Sequence, residues 1–144
     1  KANRAHLPAL VEFQQSLASE TENLSLDNDT LLKGLSTLLD DGSKGVYYIV
    51  LDGDTPVGCH LITYEWSEWR NGMVWWMQSV YVSKAYRQQG VFRMMFANIM
   101  RIIDETPGLL GLRLYVDKSN DKAMRVYESL GMDGSHYTVY EKMK

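Results

Sequence analysis

A chain of 144 residues, 45% hydrophobic and 23% charged, has the size and texture of one soluble globular domain able to close a core, so one domain over residues 1–144 is expected. Formal net charge is −3 with no block of Lys or Arg, which argues against nucleic acid as a partner, and no apolar run approaches the ~20 residues that span a bilayer. The single cysteine, Cys59, permits no internal disulfide; with no signal-peptide pattern in view, a reducing, cytoplasmic setting is expected, and the thiol reads as a small buried side chain in a strand.

Leu7, Leu10, Val11, Gln14 and Leu17 recur at helical spacing, as do Leu31, Leu32, Leu35, Leu38 and Leu39 after the cap-like Asp27-Asn28-Asp29. Two amphipathic helices are therefore predicted, joined by an acidic loop over Ser19–Leu26. Past the breakers Asp40-Asp41-Gly42-Ser43 the texture turns to β, with Val46–Leu51, a turn at Asp52-Gly53-Asp54, and Val57–Tyr64. A second connection, Glu65–Gly72, leads into the aromatic-rich strand Met73–Val82. Gly90–Asp104 reads as a helix lying on a sheet, ended by Thr106-Pro107-Gly108. Leu112–Val116 is a short strand, Asp121–Leu130 a helix closed by Gly131, and Tyr137–Met143 a last strand. The predicted order is ααβββαβαβ, an α/β chain with a mixed, mostly antiparallel sheet flanked by helices.

Between the third strand and third helix, Val80 to Arg93 passes from an apolar run through a polar, glycine-bearing turn into a helix. The first N–H groups of a helix have no partner within it and the dipole adds positive charge there, so a phosphorylated ligand is expected at this turn. Further on, Ala123, Tyr127 and Leu130 fall at i, i+4 and i+7, which lines one helix face with a small residue, a phenol and an apolar anchor.

With Arg87-Gln88-Gln89-Gly90-Val91-Phe92 at the turn and Asn120–Met132 at the last helix, the chain resembles the GNAT superfamily of acetyl-coenzyme A-dependent N-acetyltransferases. The turn segment is similar to the family's Arg/Gln-x-x-Gly-x-Gly/Ala signature, with Phe92 where a small residue is usual. The helical segment is similar to the family's Asn-x-x-Ala-x-x-x-Tyr-x-x-x-Gly-hydrophobic pattern. The resemblance covers the chain from Val46 onward, and the family's first strand is expected to be curtailed, since the sequence opens at Lys1.

The resemblance implies acetyl-coenzyme A as cosubstrate and an amine as acceptor, either a small-molecule amine, the favoured reading, or an exposed lysine or N-terminus. Backbone N–H groups from Gln88 to Arg93, including Gln89, Gly90, Val91 and Phe92, would bind the pyrophosphate beside Arg87. The strand end Val80-Tyr81-Val82 would pair with the pantetheine like an added strand, with the amide near Val80 facing the thioester carbonyl. Tyr127 is then the candidate general acid for the departing thiolate, and Asn120 a cofactor contact or a helix cap. In polyamine-type members a strand glutamate receives the amine proton, and Gln78 stands at that place. Glu22 and Glu65, each read as lying in a loop near the acceptor side, are the substitutes, with loss of the proton to solvent as the alternative.

The aromatics Tyr64, Trp66, Trp69, Trp75 and Trp76, with Glu20, Glu22, Glu65 and Glu68 near them in sequence, point either to a cation–π site for a small cationic amine or to core packing with a homodimer contact. His6, His60 and His136 show no metal-ligand spacing, and no metal is expected. Gln78 and Phe92 keep open a second class of function, an acyl-coenzyme A-binding sensor or assembly subunit with weak catalysis.

Overall fold

The computed structural model describes residues 1–144. Two helices open the chain where the apolar spacing predicts them: α1 (Leu7–Glu22) and α2 (Asn28–Asp40). Pro8 sits in the first turn of α1, where its missing N–H is no loss. Asp27 caps α2 by accepting from the Thr30 N–H at 2.8 Å. The predicted loop over Ser19–Leu26 is shorter than expected. The apolar period stops at Leu17, yet the backbone stays helical to Glu22, where Asn23 turns left-handed (φ 53°) and returns its N–H to Ala18.

The strands are β1 (Val46–Asp52), β2 (Thr55–Ser67), β3 (Gly72–Val82) and β4 (Leu109–Arg113), in spatial order β1-β2-β3-β4. The first three are antiparallel neighbours, and β4 joins β3 in parallel after the crossover helix α3 (Val91–Glu105). β4 begins earlier than its predicted Leu112–Val116. Gly108, at φ 82°, accepts the Met73 N–H at 2.8 Å and so starts the ladder directly after the helix.

Side-chain alternation explains how both sheet faces are covered. Cys59, Leu61, Tyr47 and Tyr81 meet Leu10 and Phe13 of α1 and Leu35 of α2 on one face. On the other, Gly58 lies so close to α3 that an added Cβ would come within 2.9 Å of the Met95 Cε and 2.8 Å of the Tyr81 carbonyl oxygen. Helix α3 buries Met95, Phe96, Ile99 and Ile103, one stripe at helical spacing. Leu10, Ile62, Met77 and Ile99 are shielded almost completely, and each contributes about 1.5–3 kcal/mol of apolar transfer energy.

Lys1–Arg113 and Leu114–Lys144 form two compact units. The first holds the sheet and α1 to α3, and the second holds α4 (Asp121–Ser129). Gly131, left-handed at φ 82°, follows α4, and the Met132 N–H returns to the Tyr127 carbonyl at 3.1 Å, the stop predicted there. The strand expected over Tyr137–Met143 does not form. Tyr137, Tyr140 and Met143 are exposed and no ladder includes the segment, and β-propensity without a neighbour to pair the backbone does not make a strand. No helix is long and apolar enough to cross a membrane.

Candidate functional site

The site is built where β3 departs from regular pairing. Gln78 pairs with Leu61 and Tyr81 with Cys59, so Ser79 and Val80 together oppose the single residue His60. This is a β-bulge, and Ser79 takes a left-handed φ of 49° within it. The bulge is braced from behind: the Tyr47 side chain is hydrogen-bonded to Ser79, and the Cys59 thiol lies 3.8 Å from the Ser79 carbonyl oxygen. Burial pushes the Tyr47 phenol up and lifts the Cys59 thiol to about 12, so both stay protonated. No sequence rule marked Ser79; the available signal was a polar pair, Gln78-Ser79, inside an apolar strand.

On the opposite edge, the ladder with β4 ends at Trp76 and Arg113. β3 continues through Met77–Val82 with no strand beside it there. Val80, Tyr81 and Val82, the predicted pantetheine-pairing residues, all lie in this stretch. An extended ligand can add to such an edge as a strand would.

The turn that follows is a chain of tight bends. A short 3-10 turn over Lys84–Tyr86 leads to Arg87, then Gln88 at φ 63° and Gly90 at φ 82° as the residue before α3. Gly90 has open space where a Cβ would stand, so glycine is needed for the backbone conformation and not to avoid a contact. The first intrahelical bond runs from the Met94 N–H to the Gly90 carbonyl at 3.0 Å, so Val91, Phe92 and Arg93 form the helix's first turn. Phe92, which departs from the family pattern, directs its ring onto Phe96 one turn on, at 6.3 Å between centroids. Its size is therefore absorbed along the helix. Gln89 folds back to donate to the Ala85 carbonyl at 2.7 Å.

Arg87 does not stand as an open cation. Its Nε donates to the Val82 carbonyl at 2.8 Å, its Nη2 reaches the Glu20 carboxylate at 2.8 Å, and its guanidinium carbon lies 5.5 Å from the centre of the Tyr81 ring. Glu20, near the end of α1, also accepts from the Tyr81 hydroxyl at 3.3 Å and lies 3.7 Å from Lys84 Nζ. Burial opposes ionisation of Glu20, yet Arg87, Lys84 and Tyr81 together hold its carboxyl below the ordinary value. A groove of about 510 Å³ opens beside this cluster, lined by Ser16, Ser19, Glu20, Asn23, Ser25 and Lys84 among others.

The two candidate bases are not loop residues. Glu22 is the exposed last residue of α1, and Glu65 lies within β2. The Glu65 carboxylate accepts from Arg113 and from the Trp76 indole N–H, which makes it a brace across β2, β3 and β4. Gln78 donates to the Thr63 hydroxyl at 2.6 Å.

The aromatic residues are not gathered into one cage. Tyr64 pairs with Trp75 on one face (centroids 6.4 Å apart), while Trp76 lies on the other with Arg113 6.0 Å from its ring. Trp69 is exposed at the β2–β3 turn. Alternation along β3 puts Trp75 and Trp76 on opposite faces. In the second unit, Asn120 caps α4 by accepting from the Ala123 N–H at 3.0 Å, the second of its two predicted roles. Tyr127 is half-buried on α4, and desolvation there raises its phenol above the ordinary value.

Comparison with known proteins agrees with this geometry. The model of the acetyltransferase (GNAT) family matches residues 9–132. A solved structure described as a possible acetyltransferase from Clostridium difficile 630 is 43% identical, with a TM-score of 0.92 over 99% of this chain and 94% of that one. Two more distant structures share the fold. AAC(6')-Iy, solved with the bisubstrate analog CoA-S-monomethyl-acetylneamine, is 18% identical (TM-score 0.75, 99% and 95% covered). An aminoglycoside acetyltransferase from an uncultured soil metagenomic sample, solved with sisomicin, is 17% identical (TM-score 0.76, 99% and 93% covered). No curated protein matches the sequence. A bulged strand with an unpaired edge, running into a glycine turn at a helix start, is thus found in a chain that belongs to the acetyltransferase (GNAT) family.

Proposed function

We propose that the protein transfers the acetyl group of acetyl-coenzyme A to a primary amine of a small cationic molecule, of polyamine or amino-acid-like type. The observation that carries this reading is the continuity of three features: the bulge at Ser79-Val80, the unpaired β3 edge to Val82, and the left-handed turn at Gln88–Gly90. Pantetheine adds to the edge, and pyrophosphate meets the N–H groups of Gln88 to Arg93 at the start of α3. The amide near Val80 faces the thioester carbonyl, where negative charge develops.

The acceptor nitrogen attacks the thioester carbon and forms a tetrahedral oxyanion, and the C–S bond then breaks. Tyr127 gives its proton to the departing sulfur, and the second proton lost by the acceptor nitrogen restores the Tyr127 phenol through water. Burial of Tyr127 supports that role, since it keeps the phenol protonated. The incoming ammonium loses its proton to water, with Glu22 or Glu65 receiving it through that water. The exposed Trp66, Trp69 and Leu110 support pairing of two copies.

Free-thiol release from acetyl-coenzyme A against a panel of polyamines, amino acids and aminoglycosides tests the proposal. Turnover on at least one amine is the expected result. Gln78 supports the second reading, because an amide cannot receive a proton where the family's polyamine-type members place a glutamate. Coenzyme A binding without turnover on any amine would favour that acyl-coenzyme A sensor.

A further inference from the structure

Three contacts converge on Arg87, two from the nearby end of β3 and one from the distant helix α1. The Val82 carbonyl ends β3, the Tyr81 ring supports the guanidinium at 5.5 Å, and the Glu20 carboxylate reaches it from α1 at 2.8 Å. With Nε and Nη2 engaged in this way, the Arg87 side chain ties the turn to the sheet and to α1. The turn contains two left-handed residues, Gln88 and Gly90, and Gln88 has no glycine's freedom to hold that conformation at low cost. An external tie offsets that cost. The Tyr81 hydroxyl, at 3.3 Å from the same carboxylate, fixes the orientation of Glu20 itself.

We infer that Glu20 is a positioning residue for coenzyme A: acting through Arg87, it holds the turn in the shape that presents the α3 N-terminus to the pyrophosphate. This rests on the pyrophosphate assignment proposed above. A carboxylate so near a phosphate site is unfavourable by simple charge, because it repels the ligand. Its effect through Arg87 therefore has the opposite sign to its direct effect, and the two are separable. The ion pair is partly exposed, with 39% of the Arg87 and 27% of the Glu20 side-chain surface open, so a large change in folding stability is not expected.

Isothermal titration of coenzyme A, and of acetyl-pantetheine, which lacks the pyrophosphate, into wild type, Glu20→Ala, Arg87→Gln and the double variant decides the matter. Wild type binds coenzyme A more tightly than acetyl-pantetheine. Glu20→Ala weakens coenzyme A by about five-fold, the scale of one ordered charged contact, and leaves acetyl-pantetheine unchanged. The double variant binds no worse than Arg87→Gln, because Glu20 acts through that side chain. Tighter coenzyme A binding by Glu20→Ala would show that the carboxylate only repels phosphate and would overturn the inference. Equal loss on both ligands, or additive loss in the double variant, would overturn it as well. If wild type shows no preference for coenzyme A over acetyl-pantetheine, the pyrophosphate assignment itself falls, and this inference with it. Melting temperatures of the four proteins separate any of these results from unfolding.

Discussion

His60 makes the fold sensitive to acid, because its ring is buried without a partner. The ring is 2% exposed, neither nitrogen has a hydrogen-bond partner, and it stacks on Tyr48 at 5.1 Å with the planes 5° apart. Burial disfavours the imidazolium and lowers its pKa from 6.5 to about 4. In the unfolded chain the imidazole takes up a proton near pH 6.5, whereas the folded protein refuses it until about pH 4. The unfolded state thus binds more protons across that window, and stability falls as pH drops through it. At ~1.4 kcal/mol per unit, lowering the pH from 7 to 5 removes about 2 kcal/mol, and the complete window about 3 kcal/mol. Urea denaturation of wild type and His60→Leu at pH 7, 6 and 5 isolates the effect, because the carboxylates titrate alike in both proteins. Relative to the variant, wild type loses about 2 kcal/mol between pH 7 and pH 5. At pH 7 the leucine variant is at least as stable, since it removes two buried unpartnered nitrogens. A difference between the two proteins that stays flat from pH 7 to pH 5 would refute the reasoning.

Other expectations follow from single positions. Gly90→Ala costs about 1–2 kcal/mol in urea denaturation, from the left-handed backbone alone; a loss beyond about 3 kcal/mol would show that a contact is also broken, against the open space there. Ile99→Ala, in the fully buried stripe of α3, costs about 2–5 kcal/mol and lowers the melting temperature, and a loss under about 1 kcal/mol would mean that the stripe is not packed against the sheet. Tyr127→Phe lowers kcat at least about ten-fold, below the range a general acid commonly contributes, with coenzyme A affinity unchanged, and unaltered turnover would remove Tyr127 from the acid role.

The two ends of the chain show how far sequence patterns reach. Periodic leucines placed α1 and α2, but the period stops at Leu17 while the helix runs to Glu22, because helix continuation needs only backbone bonds and a cap such as Asn23. Gly131 marked where α4 stops, since its φ of 82° is a local requirement. Tyr137–Met143 carried strand propensity and formed none, because pairing is a property of two segments. The turn at Arg87–Gly90 was legible for the same reason as Gly131: the conformation needs particular residues at particular places.

Local residue chemistry alone therefore determined the helix–strand order through α4 and the glycine turns, while the family was legible from the resemblance of two motifs. Only the tertiary structure decided that Ser79 bulges opposite His60, that β4 leaves β3 after Trp76, and that Glu20 meets Arg87. It also turned Glu65 from a loop residue into a strand brace for Arg113 and Trp76. Each of these is a contact between residues distant in the chain, fixed by register and by packing across layers, and none is written in a local pattern.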